Sequence, residues 1–168
     1  MRVLLDTHAF LWWLDGDRRL PTRAQRVIKD EGNVVLVSAA SAWEITTKAR
    51  IGKLPGALEV AADVAGCIAH QKFESLDITV LHAQRAGRLP GKHRDPFDRM
   101  LAAQAQIEDL PIVTSDLVFD DYSVTRIWSF DGNRLCRKLC APSVWRSRNL
   151  SDSADAVLVA SRSIAEIS

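Results

Sequence analysis

Short, uninterrupted apolar runs alternate along this chain with longer stretches whose apolar positions recur every three or four residues. Arg2–Leu5 and Val34–Val37 are the clearest runs. Runs of that length predict strands buried on both faces. Leu110–Thr114 is a third, Leu76–Thr79 a weaker one, and the alternating Ser123–Trp128 reads as a last strand. Helical patterns lie between them. Ala9–Leu14 follows Thr7, a good cap, and residues 22–31 place Ala24, Val27 and Ile28 on one side. Residues 38–51, 57–71 and 80–88 are further helices, the second with Ala57, Val60, Ala61, Val64 and Ile68 inward. Gly16, Pro21, Gly32-Asn33, Gly52, Pro55 and Leu89-Pro90-Gly91 break these stretches apart.

The most explicit boundary is His93-Arg94-Asp95-Pro96-Phe97-Asp98. Asp95 suits the N-cap, Pro96 the first helical position, and Asp98 the third. Phe97, Leu101 and Ala105 then form one stripe of a helix reaching about Glu108. Strands alternating with helices predict an α/β fold built on a parallel sheet. Ligands of such sheets bind outside the carboxyl ends of the strands. Asp6 and Asp116 directly follow apolar strands at that edge, and Glu44 lies early in the helix after Val34–Val37.

Composition narrows the class without naming a partner. The 168 residues suffice for one domain with a real core, 47% apolar and 26% charged content are ordinary, and the net charge of +1 announces no polyanion. The basic excess lies in residues 131–168, which carry 6 Lys and Arg against 4 Asp and Glu. Cys67, Cys136 and Cys140 show neither zinc spacing nor a disulfide framework, which fits a reduced, cytoplasmic protein. Asp6 and His8 interrupt the N-terminal apolar run, so neither a signal peptide nor a membrane span is expected. From Asp131 onward the pattern loses its period, apart from the apolar run Ala154–Ala165. Residues 1–130 are therefore read as the folded domain and 131–168 as a poorly ordered or loosely docked extension.

Carboxylates carry the candidate chemistry. Asp and Glu without a His/Cys cluster suit a hard divalent cation such as Mg²⁺ or Mn²⁺. Carboxylates converging in one pocket repel and raise one another's pKa values, and a bound cation removes that penalty. With one or two ions such a site can activate water and stabilise the leaving oxygen of a phosphodiester. Each residue also has a purely structural alternative. Asp6 can cap the first helix, Glu44 can complete a capping box with Ser41 or pair with Lys48, Asp116 can close a turn, and Asp95 can simply cap. His8 and His93 lack metal-ligand spacing, and Trp12, Trp13, Trp43 and Trp128 read as core or interface positions. Arg85, Arg88, Lys92, Arg94 and Arg99 surround the central stretch, either as phosphate contacts or as a solvated face.

The segments MRVLLDTH, VSAASAWEI, HRDPFDRMLAAQA and VTSD, in this order and spacing, resemble the PIN domain, specifically the VapC-type toxins of bacterial toxin–antitoxin pairs. The resemblance covers residues 1–130; Asp131–Ser168 has no counterpart in it. It implies a PIN-like three-layer sandwich, with a mostly parallel five-stranded sheet in the order 3-2-1-4-5 flanked by helices. It implies a Mg²⁺- or Mn²⁺-dependent endoribonuclease acting on RNA. The family's acidic positions fall on Asp6, Glu44, Asp98 and Asp116, with Asp6, Asp98 and Asp116 as metal ligands. Asp95 and either Thr114 or Ser115 would support the site, and Lys92, Arg94 and Arg99 are the candidates for RNA phosphates. A homodimer and a cognate antitoxin, inserting a basic side chain into the acidic pocket, are implied as partners. Two rivals stand beside this reading. One is a catalytically silent module that binds an antitoxin or nucleic acid. The other is a phosphatase-like enzyme with Asp6 as nucleophile, which usually needs an Asp where His8 stands.

Overall fold

The structure is a computed structural model and describes residues 1–128. The expected extension 131–168, with Cys136, Cys140 and the run Ala154–Ala165, lies outside the described residues, as does the exact end of the domain at 130. The elements run β1 (Arg2–Leu5), α1 (Thr7–Leu14), α2 (Thr22–Lys29), β2 (Val34–Ser38) and α3 (Ala39–Arg50). A 3₁₀ turn at Pro55–Ala57 leads into α4 (Leu58–Ala62) and α5 (Val64–His70). There follow β3 (Glu74–Leu76), α6 (Val80–Arg88), α7 (Pro96–Ile107), β4 (Ile112–Val113) and α8 (Val118–Asp121). The strands form one parallel sheet in the order β3-β2-β1-β4.

The expected last strand is reduced among the described residues to a single parallel bridge between Ile112 and Arg126. It carries two hydrogen bonds, Ile112 N–H to Thr125 O at 2.9 Å and Ile127 N–H to Ile112 O at 2.8 Å. It lies beyond β4, where the order 3-2-1-4-5 expects a fifth strand.

Strand alternation sorts the core into two layers. Val3 and Leu5 of β1 pack with Phe10, Ala24, Ile28, Ile45 and Ile68 on one face. Leu4 faces the other way, onto Leu36, Leu101, Ala105, Ile112 and Phe119. Helices therefore cover both faces, as the uninterrupted apolar runs of a parallel sheet require.

Three boundaries differ from the sequence reading, each for a local reason. The helix expected over 57–71 breaks at Asp63, whose side chain accepts the Gly66 N–H and starts α5 anew. The strand expected over 76–79 is instead Glu74–Leu76, because Thr79 is the N-cap of α6 and forms a capping box with His82. The cap of α1 is Asp6, and Thr7 is the first helical residue.

Candidate active site

The sheet order makes β1 and β4 neighbours, and Leu5 is registered with Val113. The next residues, Asp6 and Thr114, therefore leave the carboxyl edge side by side. Asp6 is 4% exposed. One oxygen accepts the His8 N–H at 3.4 Å, capping α1, and the other accepts the Thr114 hydroxyl at 2.7 Å. β2 lies on the opposite side of β1 and feeds α3, which carries Glu44. Ser38 caps α3 by accepting the Ala40 N–H, so Ser41 and Glu44 do not form its capping box. Buried Glu44 turns inward: one oxygen accepts the Thr7 hydroxyl at 2.6 Å and the other pairs with the Lys48 ammonium one turn on. Ser41 Oγ lies 3.0 Å from the same Thr7 hydroxyl.

Helix α7 brings the third acid. Asp95 caps it through the Phe97 N–H at 2.8 Å, and Asp98 lies in its first turn, 2.7 Å from His93 Nε2. The loop before α7 is gathered by Arg99, whose guanidinium donates to the carbonyls of Ala86 (3.1 Å), Leu89 (2.6 Å) and His93 (3.2 Å). Arg99, a phosphate candidate in the sequence, is thus engaged with backbone. Lys92 and Arg94 are exposed. Asp116 is exposed at the turn into α8; its carboxylate accepts the Val118 N–H at 2.9 Å. Its own N–H donates to Thr114 Oγ1 at 3.0 Å, so one hydroxyl links it to Asp6. Ser115 is half-buried between them.

These acids share one electrostatic field. Burial, then the charges of Asp6 and Asp95, push Asp98 up to about 7, against the pull of the His93 hydrogen bond; Glu44 adds to the rise. Asp6 is also raised, by burial first and by Glu44, against the opposing effects of His8 and Thr114. Burial works against the charge on Lys48, yet Glu44, Asp95 and Asp98 together hold its pKa above the usual lysine value.

The donor set is all oxygen and suits a hard divalent cation. Among the described residues no group of three His, Cys, Asp or Glu side chains is disposed to hold a metal ion as it stands. Glu44 and Asp98 are instead directed at Lys48 and His93. The fit is therefore one of charge and chemistry: burial first, and repulsion among the acids after it, raise Asp6 and Asp98, and a divalent cation beside them relieves both.

Sequence reasoning undervalued four side chains. Thr7, read as a cap, holds Glu44, with Ser41 beside it. His93 carries no metal-ligand spacing and meets Asp98 through the loop that Arg99 gathers. Lys48 was visible only as an i+4 partner of Glu44.

The family model described as the PIN domain matches residues 3–124. A chain of the crystal structure of VapBC2 from Rickettsia felis, bound to a DNA fragment from their promoter, is similar at 17% identity and a TM-score of 0.54. The match covers 75% of this chain and 97% of that one. A chain of VapBC-1 from nontypeable Haemophilus influenzae is similar at 13% identity and a TM-score of 0.53, covering 75% and 96%. These are likenesses of fold. No curated protein matches the chain.

Proposed function

From the premise that this chain belongs to the PIN domain family, we propose that it is a metal-dependent endoribonuclease, the toxin of a toxin–antitoxin pair. The observation that carries the reading is the meeting at one sheet edge of buried Asp6, held by Thr114 across β1 and β4, with buried Glu44 and with Asp98, which burial first and then the charges of Asp6, Asp95 and Glu44 raise. Structural ion pairs are arranged to lower carboxyl pKa values; a site awaiting a cation raises them. Asp6, Asp98 and Asp116 would hold Mg²⁺ or Mn²⁺. Such an ion, when bound, makes water a better nucleophile and stabilises the leaving oxygen of a phosphodiester.

The chain's own residues do the rest. Thr114 fixes the carboxylate of Asp6 from the neighbouring strand. Glu44, held by Thr7 and Lys48, orients the attacking water. Water oxygen bonds to phosphorus as the bond to the leaving oxygen breaks in line, and the proton goes to solvent through the carboxylates. Lys92 and Arg94, both exposed beside α7, steady the RNA backbone. Arg99 serves them by holding their loop. The pocket already accepts one cationic side chain, Lys48. That supports an antitoxin partner delivering another, and the fold shared with chains of VapBC assemblies supports the same pairing. The toxin acts as a homodimer. No helix among the described residues is long and apolar enough to cross a membrane.

The test is cleavage of a structured RNA pool by the purified full chain with Mn²⁺ or Mg²⁺, then with EDTA. Cleavage lost in EDTA and in Asp6→Asn is expected. Cleavage by Asp6→Asn equal to the parent refutes the assignment. Folded, metal-binding protein without cleavage favours the silent binding module, which the engagement of Glu44 and Asp98 by Lys48 and His93 would then explain.

A further inference from the structure

Of the four tryptophans expected at core or interface positions, one lies outside the core. Trp12 is buried and Trp13 and Trp128 are half-buried, whereas Trp43 is 56% exposed. It lies on the outer face of α3 with Ala39, Thr46 and Arg50, all exposed. A helix face of that kind needs no indole, and exposing one forgoes apolar burial. Trp43 is held in place by Phe97 of α7, edge to face, with ring centroids 4.9 Å apart and planes at 73°. Despite that contact, more than half of Trp43 stays open to solvent.

Its place gives the pair meaning. Trp43 immediately precedes Glu44, and Phe97 immediately precedes Asp98. On each helix an aromatic residue thus stands next to a site carboxylate: exposed Trp43 before buried Glu44, and half-buried Phe97 before half-buried Asp98. Exposed cations flank the pair. Arg50 lies seven residues along the same helix, about 10 Å away by helix rise. Lys92 and Arg94 lie on the loop leading to Phe97. Open aromatic surface interleaved with basic residues is how single-stranded nucleic acid is bound without base pairing. The exposed residues nearest Trp43 on α3 are Ala39, Thr46 and Arg50, two of them polar, with Ile51 exposed just past its end.

We infer that Trp43, steadied by Phe97, is a stacking platform for one unpaired RNA base beside the phosphodiester held at the carboxylates. The inference rests on the nuclease reading for its substrate and extends it: the target must present an unstacked base next to the cleaved bond. Duplex RNA, whose bases are stacked, is excluded.

The test uses the full-length parent, Trp43→Ala and Trp43→Phe with a single-stranded RNA oligonucleotide in EDTA, where metal-dependent cleavage stops and binding alone is read. Affinity is read by fluorescence anisotropy. Trp43→Ala is expected to weaken binding about tenfold or more, and Trp43→Phe to stay within about threefold of the parent. Binding should quench tryptophan emission in the parent and not in Trp43→Phe, and the matching duplex should compete poorly. In cleavage, Trp43→Ala should raise KM with kcat nearly unchanged. Unaltered affinity in Trp43→Ala, or no binding by the parent, overturns the inference. So does a drop from dimer to monomer in Trp43→Ala with oligonucleotide affinity intact, which would make this face a contact between copies. Failure of the nuclease reading looks different: no parent cleavage, yet binding that still depends on Trp43.

Discussion

Asp98→Asn should stabilise the metal-free protein at pH 8. In the folded chain burial and the charges of Asp6 and Asp95 raise this carboxyl from 3.8 to about 7. That difference corresponds to about 4 kcal/mol between the protonated and charged forms, at about 1.4 kcal/mol per tenfold. Between these two values the folded carboxyl keeps its proton while the unfolded one has lost it, so the folded state binds more protons. Stability therefore falls as pH rises through this window, and the full penalty stands above about 7. Asp6, raised as well, acts in the same sense. Asparagine keeps a partner for His93 Nε2 and removes the charge. Because the Asp98 side chain is 20% exposed and solvent screens part of the effect, the expected gain is about half of the total, or about 2 kcal/mol. The assay is urea unfolding followed by tryptophan fluorescence in EDTA at pH 5, 6, 7 and 8. The gap between parent and variant should widen from pH 5, where about two-fifths of it is present, to pH 8, where it is complete and where Mn²⁺ should stabilise the parent more than the variant. A gap that stays constant with pH, or a variant no more stable than the parent at pH 8, refutes the mutual repulsion and with it the cation site.

Two further substitutions probe the supports of the site. Thr114→Val removes the donor to Asp6 and the acceptor of the Asp116 N–H from a buried position of unchanged shape. It should cost about 1–3 kcal/mol in urea unfolding and lower RNA cleavage about tenfold or more. Lys48→Met takes the ammonium from Glu44, whose side chain is 4% exposed against 29% for the lysine. With that partial exposure discounted, thermal or urea unfolding should show a loss of about 1–2 kcal/mol, largely restored by saturating Mn²⁺.

What was legible in the sequence is what local chemistry decides. Arg2–Leu5 and Val34–Val37 are apolar enough to be buried strands whatever surrounds them, and Asp95-Pro96 fixes a helix start within a residue. The acids at 6, 44 and 98 stood out because each follows a strand or opens a helix. What escaped needs tertiary information. Whether Thr7 or Asp6 caps α1 is a shift of one residue, yet it decides that the threonine hydroxyl is free for Glu44. Asp63 interrupts a helix whose apolar stripe continues through it, because one side-chain bond to Gly66 competes with the backbone. The segment at 123–128 alternates as a strand should, but only Arg126 bridges to Ile112. His93 and Asp98 are five residues apart, a spacing that signals nothing until the three carbonyl bonds of Arg99 fold the loop back.

Capping explains Asp6 and Asp95 singly, but not why acids crowd one place. A parallel sheet with a helix after each strand puts the strand ends and the helix starts on one edge. Here the N-termini of α1 and α7 carry Asp6 and Asp98, and Glu44 comes from the second turn of α3. Such termini carry partial positive charge, and left alone they attract phosphate directly. In this chain Asp6 and Asp98 occupy that potential, with Glu44 beside them, so an RNA phosphate meets negative charge unless a cation intervenes. Removing those charges should have a consequence opposite to ordinary loss of function. The double variant Asp6→Asn, Asp98→Asn should be dead in cleavage yet, at pH 8 in EDTA, bind RNA more tightly than the parent, by about thirtyfold, since each neutralised carboxylate removes about 1 kcal/mol of repulsion from a partly buried phosphate. Filter binding of labelled single-stranded RNA in EDTA, at fixed salt, measures it. If the double variant binds no better than the parent, the carboxylates do not stand between the phosphate and the helix termini, and the need for a cation at this edge falls away.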